Sequence, residues 1–265
     1  MRKETRAYEA KLQAELNQDR IDNGKKPFPP EKFEKEEIKE IKESTTDRNG
    51  FVLGSIVTPG NIHDSHILQP LVEKIMDKVK KPLAIAADAA YKTPAICNFL
   101  IENGITPALP YTRPKTKEGF IRKHEYVYDE HYNCYICPQG EILSYTTTTK
   151  EGYRQYKSNP LKCSKCPLLK QSTQSQNHQK LIQRHIWEDY LEEAEHLSHK
   201  QEVKEIYARR KESIERVFAD AKEKHGMRWT TLRGLKKLSM QAMLTFAAIN
   251  LKKLANWTWG SPKIA

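Results

Sequence analysis

The chain has 265 residues, 38% of them hydrophobic, enough to bury a sizeable core. No apolar run approaches the length of a membrane span, and the start Met-Arg-Lys-Glu-Thr lacks a signal-peptide core, so a cytoplasmic protein is expected. Lys and Arg total 45 against 34 Asp and Glu, giving +11 and a pI near 9.3; this favours a polyanionic partner, although a basic surface without one fits the charge alone.

In chain order, residues 3–21 carry Tyr8, Leu12 and Leu16 at i, i+4 spacing and predict an amphipathic helix with a thin apolar stripe. The Gly- and Pro-rich run 24–30 breaks it. Residues 31–42 are almost purely Lys and Glu around Phe33 and Ile38, a solvated helix or linker, so 1–46 forms a helical, charged extension. Residues 51–58 follow the Asn49-Gly50 turn signal and give the first convincing strand. Then come a helix over 63–80 (Ile67, Leu71, Ile75), a strand over 83–87, a helix over 94–102 stopped by Gly104, and a strand over 105–109. Such alternation implies parallel strands joined by crossover helices, an α/β core whose first part is 47–110. Asp64, flanked by His63 and His66, reads as a helix N-cap rather than a catalytic acid.

After Tyr111 the alternation stops. Residues 111–185 are polar, rich in Tyr and Thr, and hold four cysteines, which predicts an inserted, β-containing subdomain. Helical spacing returns near His185 and runs to Lys224, and a nearly all-round apolar helix covers 235–257, so 186–265 supplies the second part of the core.

Two carboxylates stand out. Asp88 ends the apolar run 83–87 and sits at the carboxyl end of a buried strand, where sites form in α/β folds. Glu215 lies in a helix where Tyr207, Lys211, Glu215, Phe218 and Lys222 fall along one line at 3.6 residues per turn. That stripe presents an acid inside a cationic surface, as a metal held beside nucleic acid requires. Arg209, Arg210, Lys211, Arg216, Lys222, Lys224, Arg228 and Arg233 surround it, a density of like charge that phosphates would compensate. Arg113, Lys115, Lys117, Arg122 and Lys123, interleaved with Tyr111, Phe120 and Tyr126, fit either a backbone-tracking segment or a solvated loop.

Cys134-x2-Cys137 and Cys163-x2-Cys166 are separated by 25 residues, a spacing that suits a zinc-ribbon-like structural Zn2+ site or, alternatively, two pairs of free thiols. Cys97, on the helix after Asp88, reads as a small buried apolar residue.

Taken together, Asp88-x-x-Tyr91, a polar insertion, and Tyr207-x-x-Arg210 leading to Glu215 and Lys222 resemble the DDE transposases of bacterial insertion sequences, over roughly residues 44–257. Stretches 58–65, 87–94, 136–140 and 184–190 share the likeness. The resemblance implies an RNase H-like fold, DNA element ends as the partner, possible oligomers, and phosphoryl transfer by two Mg2+ ions held by three carboxylates. Asp88 would be the second of these and Glu215 the last; Tyr207, Arg210, Lys211, Lys222, Arg228 and Arg233 would contact DNA. From Arg210 to Glu215 the spacing is one residue longer than in the commonest Tyr-Arg-Glu-Lys signature. The chain departs from the family before Phe51, where no strand with an Asp is legible, and at 45–48, where two segments normally separated by another strand are expected to be joined directly. The RNase H-like domain is thus expected to be incomplete and the chain a transposase fragment inactive alone, with only weak Mg2+ binding. The other reading is a non-catalytic, zinc-stabilised DNA-binding or interaction protein.

Overall fold

The computed structural model describes residues 2–29, 40–59, 65–112 and 116–258. Asp64, His63, Arg113, Lys115 and the stretch 30–39 lie outside the described residues. The chain divides into two compact units, one formed by Phe33–Tyr111 with Tyr190–Ala265 and the other by Arg2–Lys32 with Thr112–Asp189. Helix α1 (Arg2–Asp22) matches the predicted amphipathic helix and belongs to the second unit.

In the first unit, β1 (Glu40–Thr46) and β2 (Val52–Pro59) form an antiparallel hairpin. The Asp47 carboxylate closes its turn, accepting from the N–H of Asn49 at 2.9 Å and of Phe51 at 2.7 Å. Gly50 takes a φ of +79°, which favours glycine. Strand β1 corrects two expectations: the charged tract does not stay a solvated helix or linker up to Lys42, and the first strand does not wait for Phe51. The β-branched Thr45 and Thr46 adjoin a turn tied by its own Asp, and the pairing that this turn starts outweighs the weak helical bias of the Lys and Glu before it. No Asp lies within β1.

Helix α2 (Ser65–Lys78) leads to β3 (Ala84–Ala86), then α3 (Pro94–Glu102), then β4 (Thr106–Ala108), which runs parallel to β3. This is the predicted strand-helix-strand unit. Thr93 caps α3 through its hydroxyl, Pro94 fills the first turn, and Gly104 ends it at a φ of +61°. Leu68 and Val72 of α2 close over Ile85, Ile96, Leu100 and Ile105; buried aliphatic side chains of this size contribute about 1.5–3 kcal/mol each.

The second unit is an antiparallel meander in chain order: β5 (Val127–Asp129), β6 (Cys134–Ile136), β7 (Ile142–Thr148), β8 (Tyr153–Lys157) and β9 (Leu181–His185). Short helices α4 (Pro160–Cys163) and α5 (Leu169–Ser172) lie between β8 and β9. Its core is built from tyrosines. Tyr156 is fully buried, with the rings of Tyr135, Tyr128 and Tyr145 at 5.1, 6.0 and 6.1 Å, and its hydroxyl donates to Asn133 Oδ1 at 2.6 Å. Helix α1 packs on this sheet through Leu16, while buried Asp19 accepts from Arg154 Nε at 2.6 Å and from the Thr148 hydroxyl at 2.5 Å.

Returning to the first unit, α6 (Glu188–Ser198) sets Tyr190, Leu191 and Ala194 against Ala87, Cys97 and Leu109. The helical stretch predicted from His185 is broken at His199–Lys200, and His185 itself ends β9. Then α7 (Gln201–Arg210), one π-helical turn (Lys211–Glu215) and α8 (Arg216–Lys224) run on continuously. Finally, α9 (Leu235–Thr258) packs on both β2 and α8: Leu238, Ala242, Phe246 and Ile249 share one buried cluster with Val57, Val217 and Ala221. The Asn250 side-chain amide meets the backbone of Val52 with one donated and one accepted hydrogen bond, both 2.9 Å, as a neighbouring strand would. The outer side of α9 leaves Met240, Leu244, Leu251 and Leu254 exposed.

His185 offers a test of the second unit. It is buried against Gly152, and its Nδ1 accepts the Trp187 N–H at 3.0 Å, so burial holds its pKa below the ordinary 6.5. The unfolded chain therefore takes up the proton first. Stability from this residue is intact above pH 6.5 and is lost as pH falls below that value. In calorimetry the melting temperature should decline below pH 6.5, and His185→Gln should flatten that decline.

Candidate active site

Asp88 leaves the carboxyl end of β3 in extended geometry and caps a single 3-10 turn, with its Oδ1 accepting the Ala90 N–H at 3.1 Å. This leaves Oδ2 turned to Arg210, whose Nη2 lies 3.7 Å away. Glu215 approaches the same guanidinium from the other side, its Oε1 3.6 Å from Nη1. Two acids far apart in the sequence thus share one cation.

The π-helical turn makes this convergence possible. In a regular α-helix, the fifth residue along lies about 140° round the axis, which would turn Glu215 away from Arg210. A turn closing between i and i+5 restores the alignment, so the extra residue between Arg210 and Glu215 is taken up as a bulge. The Ser213 hydroxyl is 3.2 Å from the carbonyls of both Arg209 and Arg210, satisfying groups that the bulge releases. The straight line expected through Tyr207, Lys211 and Glu215 is corrected accordingly: it assumed 3.6 residues per turn throughout, and Arg210 stands beside Glu215 instead.

Among the remaining candidates, Tyr207 is half-buried on α7, and Lys222 is exposed on α8. Arg233 is exposed beyond α8, and Arg228 is exposed and paired with Glu223. The side chain of Lys211 lies outside the described residues. None of these four described side chains joins the shared contact of Asp88, Arg210 and Glu215.

The pairings are weak by design of their surroundings. Asp88 is 48% exposed and Glu215 57%, against 21% for Arg210, and solvated pairs of this kind contribute about 0–1 kcal/mol. The guanidinium orients the two acids and can yield to a better ligand. Arg210 stands between the two acids, and among the described residues no group of three or more His, Cys, Asp or Glu could hold a metal.

The four paired cysteines do not line one common cavity among the described residues. Cys137, Cys163 and Cys166 line one small cavity with Tyr126 and Ser172, but Cys134 is not among its lining residues. Strand geometry explains the separation. In β6, Cys134 is paired in register with Asp129, while Tyr135 and Cys137 turn to the tyrosine core on the other face. The knuckle expected from the two-residue spacing is a strand at its first cysteine.

Residues 136–255 match the model of the family described as Transposase DDE domain. The matched segment contains Tyr207, Arg210, Glu215, Lys222 and three of the four paired cysteines, and it begins after Asp88. Over this segment the chain is similar to the DDE domain of transposases. No curated protein and no solved structure matches it.

Thiol chemistry tests the cysteine arrangement. All five cysteines are free. Burial pushes the Cys97 thiol up to about 12 and raises that of Cys134, so neither forms a thiolate readily. Titration of the native protein with a disulfide reagent should release three fast equivalents, from Cys137, Cys163 and Cys166, and denaturation the remaining two. Protection of four thiols that a chelator removes would point to a closed zinc site instead.

Proposed function

We propose that this chain is the DNA-binding, RNase H-like part of an insertion-sequence transposase, holding the second and last acids of the catalytic set and not cutting DNA by itself. The observation that carries this reading is the Asp88–Arg210–Glu215 contact, in which the residues of the family signature meet although they come from separate elements. A guanidinium lying against two carboxylates is a surface that a scissile phosphate can enter, because the phosphate competes for Arg210 and frees the acids. The net charge of +11 supports DNA as the polyanion that binds.

Three observations support catalytic incompleteness. Strand β1 carries no Asp, and Asp47, which follows it, is committed to the amides of its own turn. The two acids of the site are neutralised by an arginine rather than arranged with a third acid. Two-metal phosphoryl transfer needs carboxylates enough to balance both ions, and two fall short. The same contact argues against the purely structural alternative, under which Asp88 and Glu215 need not approach one group.

The test is a pair of assays on the pure chain. Binding to a labelled duplex, followed by fluorescence anisotropy, should weaken steeply with salt, log K falling by about 0.9 per log unit of salt for each phosphate contacted. Supercoiled plasmid should stay intact in Mg2+ or Mn2+. Nicking that disappears in Asp88→Ala or Glu215→Ala would overturn the claim of inactivity, and salt-independent or absent DNA binding would overturn the partner.

A further inference from the structure

Beside the carboxylates, three elements of the first unit converge on a second feature. Arg48 and Asn49 of the β1–β2 turn, Arg209, Glu212, Ser213 and Arg216 of the bulged helix, and Lys253 of α9 line an open cavity of about 490 Å³. Four cations face one acid there. Arg48, Arg209 and Arg216 make no ion pair among the described residues, unlike Arg228 and Lys224, which pair with Glu223 and Asp220. Like charges brought together without counter-charge repel, so this geometry favours an anion in the cavity.

The walls are held in place by specific contacts. The Asp47 carboxylate fixes the turn that carries Arg48, and the Asn250 amide pins α9 to Val52, one helical turn before Lys253. Gly50 makes room for the ammonium: a Cβ at this position would lie 2.4 Å from Lys253 Nζ. The same ammonium sits 5.8 Å above the Phe51 ring. The bulge has a second consequence here, since it turns Arg210 to the acids while its neighbours Arg209 and Ser213 line the cavity.

We infer that this cavity is a phosphodiester-binding pocket, taking a backbone phosphate of the same DNA strand that lies across Asp88 and Glu215, at a position displaced along the strand. Planar guanidinium groups bind phosphate oxygens in pairs, and three of the four cations are arginines. The inference rests on the DNA-binding reading above and adds a contact that the catalytic signature does not include. Arg48, Arg209, Arg216 and Lys253 fix the strand's register without touching the acids.

The experiment compares wild type, the Arg209→Ala/Arg216→Ala double variant and Lys78→Ala, an exposed cation at the end of α2, with equal melting temperatures as the folding control. Duplex binding is measured by anisotropy across a salt series, and inorganic pyrophosphate binding by calorimetry at low salt. The double variant should lose about 10-fold or more in DNA affinity and about 1–2 units of the log–log salt slope, whereas Lys78→Ala changes neither. It should also lose pyrophosphate binding. Gly50→Ala, which displaces Lys253 without removing a charge, should weaken both ligands in the same direction. An unchanged salt slope in the double variant, with DNA still bound, overturns the pocket and leaves the DNA-binding reading standing. Pyrophosphate bound by wild type and lost in the variant, with no DNA bound by either, keeps an anion pocket and overturns the DNA-binding reading.

Discussion

Everything proposed for the site depends on one guanidinium lying between two carboxylates. Arg210 reaches Asp88 only because β3 ends where α7 passes, and it reaches Glu215 only because the helix widens by one residue between them. Each pair is too exposed to contribute much to folding, so the arrangement is held by the elements that carry the three residues. Those elements are well anchored: the parallel pair β3–β4 sits under the α2–α3 cluster, and α8 packs on α9 through Val217, Ala221 and Phe246. A site built this way is rigid in its supports and labile in its contacts, which suits a surface that must exchange an internal cation for a polyanion.

Much of this was legible in the sequence, for physical reasons that can be stated residue by residue. The cap Thr93, the Pro94 that follows and the Gly104 stop bound α3, and the short apolar runs on either side became the parallel strands. Asp88 stands out in the sequence because buried strands end in exposed, polar positions, and Glu215 stands out by its chemical neighbourhood. The pairing of Arg210 with Glu215 was missed, since a helical wheel drawn at 3.6 residues per turn cannot represent a bulge. One signal pointed to it, the single extra residue within the signature, and Ser213 at the right place to cap the freed carbonyls was a second.

Local pattern also gives no account of long-range pairing. The charged tract before Thr45 has helical composition, yet its last residues pair across a turn set by Asp47. Cys134 and Cys137 have the spacing of a metal knuckle, yet the alternation of β6 assigns them to opposite faces. In both places a strand pairing decided the outcome, and pairing partners are remote information.

Helix α9 combines a side that seals the first unit with an outer ridge of Met240, Leu244, Leu251 and Leu254. In dilute buffer the surplus of positive charge keeps molecules apart and this greasy ridge is harmless. Added electrolyte shortens the Debye length from about 10 Å at 0.1 M to about 3 Å at 1 M, and mutual repulsion fades while oily contact strengthens. Concentrated brine is therefore the condition in which the protein becomes stickiest to itself.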